Sequence, residues 1–374
     1  MKLKLLFLIL FYLALHAYAS AQMNTSGRME LVFVDAQNGS QGEPSQNIPN
    51  KGYPGFIWQL RLYLDMPVSE RSTIFSDLRL RSDGLNVDFA AIRLYLNAAK
   101  TIVLQAGVLG TPIGNVTARR SSKFNPLIHL PIMYDYRTSL PARPIADEAE
   151  FLANRGTGSG LRILNLGVYS PGVELRGTLA EVFDFSFALF NSAPSSLKWK
   201  NETERLNFTQ RIGVRPLLGL NIGFSISNGP YLGQEIIAML PPEKDLSSYL
   251  QTLYDFDFSF ERGHLSIFAE GVINKWENPV HPDALKVSAY YLETKYKFLP
   301  HYFAALRIGH LLFEKIDFQN SKSVRWDDNI QRFEIGLGYY VARETLAKLV
   351  YQKNNTSRID IKDDYIAVQL SSGF

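Results

Sequence analysis

Phe56-Ile57-Trp58-Gln59-Leu60-Arg61-Leu62-Tyr63-Leu64 reads as a single strand with two unlike faces. Successive strand side chains point to opposite sides of a sheet, so Phe56, Trp58, Leu60, Leu62 and Leu64 form one apolar row while Gln59, Arg61 and Tyr63 share the other side. The first row suits lipid and the second suits water. The same alternation sets Leu220, Ile222, Phe224 and Ile226 against Asn221, Gly223, Ser225 and Ser227, and Phe183, Phe185, Phe187 and Leu189 against Asp184, Ser186 and Ala188. It also sets Tyr254, Phe256, Phe258 and Phe260 against Asp255, Asp257, Ser259 and Glu261.

A soluble sandwich alternates too, with its apolar face packed on a second sheet, so the connectors must decide. Short turns are read near 66–71, 97–100, 180–182, 216–219, 262–264, 299–301 and 341–345. Between them fall longer connections around 36–54, 110–168, 191–207, 228–248, 275–284, 313–330 and 354–364, with 82–86 as one short exception. Alternate short and long connections are the organisation of outer-membrane barrels, whose short turns lie on the periplasmic side. The expected fold is an all-β transmembrane antiparallel barrel of sixteen strands, from Met29–Asp35 to Tyr365–Phe374, with both ends on that side and a fifth strand at Thr101–Leu109.

The N-terminus agrees with export. Lys2 and Lys4 precede an apolar stretch from Leu5 to Leu15, and Ala17-Tyr18-Ala19-Ser20-Ala21 supplies small residues for cleavage, so residues 1–21 read as a signal peptide and 22–374 as the barrel. That stretch is too short to cross a ~30 Å hydrocarbon core as a helix. The chain has no cysteine, so its stability comes from something other than disulfides. Without Lys2 and Lys4 the formal charge of +3 falls to +1, which argues against a nucleic-acid partner. The localisation expected is a Gram-negative outer membrane, with its lipid as the surrounding partner.

Ile366, Val368, Leu370 and Phe374 lie on one face, and the sequence stops at the aromatic residue. This ending resembles the C-terminal strand of bacterial porins, which implies recognition of Phe374 by the barrel-assembly machinery and a possible homotrimer. Alternation is silent on the trimer, because an apolar face serves a neighbour as well as lipid. Gly107-Val108-Leu109-Gly110-Thr111-Pro112-Ile113-Gly114 is similar to the Gly-x-x-x-x-Pro-apolar-Gly stretch of the phosphate-selective porin superfamily. The connector from 110 to 168 has the position of the third porin loop, and the resemblance implies that it folds inward and constricts the lumen. Its Phe124, Ile128, Leu130, Tyr134 and Tyr136 suit a packed element.

Charges on the inferred lumen side are asymmetric. Early strands supply Arg61, Arg79, Arg81, Arg93, Arg176 and Arg211, later ones Asp255, Asp257 and Glu270, and the loop adds Arg119, Arg120, Arg137 and Arg143. Basic and acidic walls are expected to face each other across water, and low-dielectric walls focus such a field. Arg offers a bidentate fork to oxyanions, so the surplus of arginine favours anions, with phosphate as the solute the resemblance implies.

Chemistry beyond passage finds little support. The histidines lack metal-ligand spacing, and no Ser-His or carboxylate pair stands out, so neither a metal, a cofactor nor catalysis is expected. Gly156-Thr157-Gly158-Ser159-Gly160 lacks the Lys-Ser/Thr of a phosphate loop and reads as a flexible loop end. The function expected is passive diffusion of small hydrophilic solutes. The alternative is a narrow or sealed barrel that displays its outer loops as an adhesin or scaffold.

Overall fold

The computed structural model describes residues 23–37, 54–82, 84–141, 143–158, 160–165, 169–318, 321–358 and 363–374; the leader read at 1–21 lies outside them. Strands β1 (Asn24–Ala36), β2 (Gly55–Ser69), β3 (Ser72–Arg81), β4 (Gly84–Tyr95), β5 (Ile102–Gly110), β6 (Tyr169–Leu179), β7 (Phe183–Phe190) and β8 (Asn207–Leu217) form one half of a wall. The other half is β9 (Leu220–Pro230), β10 (Leu250–Arg262), β11 (Leu265–Trp276), β12 (Leu285–Leu299), β13 (Tyr302–Phe313), β16 (Ile330–Tyr340), β17 (Thr345–Thr356) and β18 (Tyr365–Gly373). β14 (Lys315–Phe318) and β15 (Ser321–Arg325) make a separate hairpin outside the wall.

Each wall strand pairs antiparallel with its neighbours, and β1 closes the ring on β18 from Arg28↔Gly373 to Ala36↔Tyr365. Closure leaves the wall without an exposed edge. Sixteen strands are an even number, so the chain returns to the end where it began. There the Gly27 N–H donates to the Phe374 carbonyl at 3.1 Å and the Phe374 N–H donates back at 3.1 Å. The Phe374 ring fills the space where a Cβ on residue 27 would stand, so glycine is required there.

The strands run longer than alternation alone marks. β1 starts at Asn24 rather than Met29, β5 is shifted by one residue, and β2 and β3 narrow the turn read at 66–71 to Glu70-Arg71. Pro67 is accommodated at a register shift between Pro67 and Ser69, where a lost donor breaks no ladder bond. The connection from β13 to β16, read as plain loop, contains the β14–β15 hairpin.

Outward rows are apolar and exposed, as Ile335, Leu337, Leu349, Ile366, Val368 and Leu370 show. Toward the short-turn end Tyr302 stacks on Tyr339 at 4.7 Å and on Phe298 at 6.2 Å, an aromatic group of the kind that girdles membrane barrels. No helix among the described residues is long and apolar enough to cross a membrane.

The main apolar core lies inside the ring. Ile132, Met133, Tyr136, Leu140 and Phe151 from the β5–β6 connection pack on Trp276, Val287, Leu311 and Phe313 of β11–β13 and on Trp326 beyond the hairpin. Each fully buried side chain of this kind is worth ~1.5–3 kcal/mol, enough in sum to order a long connection. The expected water-filled gap between two charged walls is therefore absent on the β10–β13 side, where the connection covers the wall.

Ile335 sits midway along β16 on the outer face. Ile335→Arg is expected to cost about 2–4 kcal/mol in reversible folding into lipid vesicles; an unchanged urea midpoint would mean this face does not meet hydrocarbon.

Candidate functional site

The β5–β6 connection carries three helical turns, α1 (Val116–Arg119), α2 (Ile132–Asp135) and α3 (Glu148–Ala153). Its entry is the Gly110–Gly114 stretch. Gly114 has φ +60, its N–H donates to Asp255 Oδ2 at 3.0 Å, and the Glu270 carboxylate occupies the place of a Cβ, so only glycine fits. Asn115 Nδ2 donates to the Phe258 carbonyl at 3.2 Å. Glu270 further accepts from the Tyr134 hydroxyl and, at 3.2 Å, from Tyr291.

The connection then descends along the wall. Arg119 donates to Glu293 at 2.6 Å, to Asn115 Oδ1 and Tyr291 Oη at 3.0 Å each, and lies 3.6 Å from the Phe268 ring centre. Glu293 also takes Arg307 at 2.5 Å, and Arg307 reaches Glu334 at 2.9 Å, the His129 carbonyl at 2.9 Å and Asn125 Oδ1 at 3.0 Å. At the bottom the buried Lys348 amine donates to the carbonyls of Ser122, Asn125 and Leu127 at 2.6, 2.7 and 3.1 Å. Lys123 meets Glu344 at 2.9 Å in the β16–β17 turn, so the connection spans the barrel to its short-turn mouth.

It returns upward past His129, whose ring meets the Tyr365 hydroxyl and which burial, then the charges of Arg332 and Arg307, hold down at about 3 and hence neutral. At the long-loop mouth Asp327 accepts from Ser139 N at 2.7 Å, Gly156 N at 3.1 Å, Asp328 N at 2.8 Å and Tyr136 Oη at 3.2 Å. Gly156 and Gly160 are thus both held rather than loose. Gly156 has φ +71, and Gly160 donates to the Thr138 carbonyl at 2.9 Å with its Cα face against Thr138 and Leu140.

The opposite half of the wall stays open. Arg28, Arg93, Arg120, Lys123 and Arg176 line a cavity of 650 Å³ with Asp77, Glu174 and Glu344 and the rings of Tyr63, Phe75, Phe89 and Phe124. Arg93 donates to Gln105 at 3.1 Å and lies 5.0 and 5.6 Å from the Phe75 and Phe89 centres, while Arg176 makes no ion pair among the described residues. Further along the same wall Arg61 pairs with Asp77 at 3.0 Å and Asp88 at 3.1 Å, and Arg79 with Asp88 at 3.0 Å. Arg81 continues this row toward the long-loop mouth.

Arg120, from the connection, reaches across to Asp77 at 2.5 Å and Asp88 at 3.4 Å with its guanidinium 4.4 Å from the Tyr169 ring centre. Burial, then the nearby Arg61 charge, pushes Arg120 down to about 10, whereas for Arg119 Glu293 and Tyr291 outweigh burial and leave it raised.

The remaining charges stand apart from this cluster. Asp255 and Glu270, 1% and 2% exposed, lie beneath the connection, and Asp257 is paired bidentately with Arg211. Arg137 bridges to Arg162 within the connection and donates to the Gly160 carbonyl at 3.4 Å, and Arg143 pairs with Glu150 at 2.8 Å at an exposed position. Sequence reading passed over Asp88, because a register shift at Asp77/Leu78 turns both Asp88 and Phe89 inward. The signal was there: the outward row changes from odd (Leu85, Val87) to even (Ile92, Leu94) positions across it. Lys348 and Asp327 carry no such sign.

No protein-family model matches the chain, and no curated protein does. Solved structures do. Salmonella typhi OmpF in complex with daunomycin aligns over 95% of this chain and 98% of its own at 11% identity, TM-score 0.63. The outer membrane channel DcaP of Acinetobacter baumannii gives 96%, 98%, 12% and 0.59, and the anion-selective porin from Comamonas acidovorans 95%, 100%, 11% and 0.57. The fold is that of bacterial outer-membrane porins. At these identities the likeness covers the backbone, and the charges inside must be read from this chain alone.

Two outcomes test the inner packing. Lys348→Met leaves three carbonyls without their donor, each costing ~1–3 kcal/mol when buried, so amides of 122–128 are expected to lose hydrogen-exchange protection while the wall keeps its own. Burial raises the Asp327 carboxyl to about 7, against the lowering donors Asp328, Ser139 and Gly156. A folded value above the unfolded one, about 3.9, means its contribution is full at acid pH and is lost as pH rises through 7. Protection of the Ser139 and Gly156 amides, corrected for intrinsic exchange, should fall from pH 5 to 8 and be flat in Asp327→Asn; equal slopes would assign the titration elsewhere.

Proposed function

We propose that this chain is an outer-membrane porin that passes small hydrophilic solutes by diffusion and prefers anions. The observation that carries the preference is the separation of charges inside the barrel. Asp255, Asp257, Glu270 and Glu293 are covered or paired by the β5–β6 connection and by Arg211, whereas Arg93, Arg120 and Arg176 face the open cavity. Five basic against three acidic side chains line that cavity, so its field favours anions. The connection thereby acts as the constriction, narrowing the passage to the β2–β8 side.

Export by the leader at 1–21, recognition of Phe374 by the assembly machinery and a homotrimer belong to the same proposal. One similar structure, OmpT of Vibrio cholerae, is described in a trimer form. A phosphate-like solute is the finer reading, supported by the arginine forks.

Refolded mature protein in a planar bilayer under a KCl gradient should conduct with a reversal potential of anion-selective sign. The Arg93→Gln/Arg176→Gln pair should lower the anion-to-cation permeability ratio about twofold or more. A correctly folded but silent barrel would favour the adhesin or scaffold, for which the apolar filling of half the lumen is the supporting observation.

A further inference from the structure

Arg119 and Arg120 are neighbours in the chain, yet they hold opposite walls. Arg119 is fixed to Glu293 on β12 and Arg120 to Asp77 on β3 and Asp88 on β4, and β4 and β12 are eight strands apart in the ring of sixteen. Together they cross the lumen as a strut. Its two ends differ in what release would leave behind.

Glu293 is fully buried, and Arg119 is held there also by Asn115, Tyr291 and the Phe268 ring. At the other end Asp77 and Asp88 retain Arg61 and Arg79, so the cluster without Arg120 is two cations to two anions and with it three to two. Arg120 is the surplus charge, and its departure strands no buried carboxylate. It also sits over a neck. The 650 Å³ cavity and a second pocket of 20 Å³ toward the long-loop mouth share Gly110, Thr111, Ile113, Thr117 and Tyr169. At this neck the Thr111 and Tyr169 hydroxyls are buried without a hydrogen-bond partner, polar groups that a wider neck would let solvent or solute reach.

We propose that the Arg120 end of the strut is an exchangeable latch: small carboxylate-bearing anions gathered in the short-turn cavity take Arg120 from Asp77, draw it off the Tyr169 ring and widen the neck. A carboxylate offers Arg120 the same two-point fork that Asp77 and Asp88 provide, and Arg93 and Arg176 concentrate it nearby. The barrel then conducts more in the presence of the anion. This rests on the porin reading above.

Single-channel conductance in KCl, with and without succinate on either side, tests it in the wild type, Arg120→Ala and Asp77→Asn. Succinate is expected to raise wild-type conductance about twofold from the short-turn side, and Arg120→Ala to be high from the start and indifferent to succinate. Asp77→Asn, with part of the latch removed, should show a higher basal conductance and respond at lower succinate, which keeps the test alive if Arg120→Ala fails to fold. A wild type that conducts while Arg120→Ala matches it and succinate only blocks would overturn the latch and leave the porin standing. Folded wild-type and variant barrels that are all silent would overturn both.

Discussion

A closed ring of sixteen strands encloses more space than the side chains of its own wall can fill. Either water or another part of the chain must occupy the interior, and in this protein the β5–β6 connection packs into it against β11–β13. That division governs the rest. Where the connection lies, inward positions carry Trp276, Val287, Leu311 and Phe313 and behave as a core; where it does not, Arg93 and Arg176 face an open cavity. One barrel thus has an interior that is packed and paired on one side and open on the other.

Charges on the covered side needed partners once water was excluded, because an unpaired ion in a low-dielectric interior is strongly unfavourable. The connection supplies them in several chemical forms: a backbone N–H from Gly114 to Asp255, the Tyr134 hydroxyl to Glu270 beside that of Tyr291 on β12, and a guanidinium from Arg119 to Glu293. The wall reciprocates with the Lys348 amine for three loop carbonyls. Residues that look in the sequence like an acidic pore wall are in effect the mounting points of the connection.

Period-two alternation made the wall legible, since a strand must show one face to lipid and the other inward, and the spacing of turns then gave number and direction. Alternation passes over Asp88, where a bulge adds a residue and breaks the strand's parity. The short Gly110–Gly114 stretch pointed to the entry of the connection. The course beyond it was not legible, because Arg119, Lys123 and Asp135 find partners on the wall and its turns more than a hundred residues distant.

The sequence by itself therefore determined a sixteen-stranded barrel with apolar outside and polar inside rows, because those properties repeat locally at every strand. Only the tertiary structure decided which inward charges line the open cavity and which anchor the connection, and that Arg119 and Arg120 part to opposite walls. That choice depends on where one long segment packs, and contacts between distant segments leave no periodic mark in the chain.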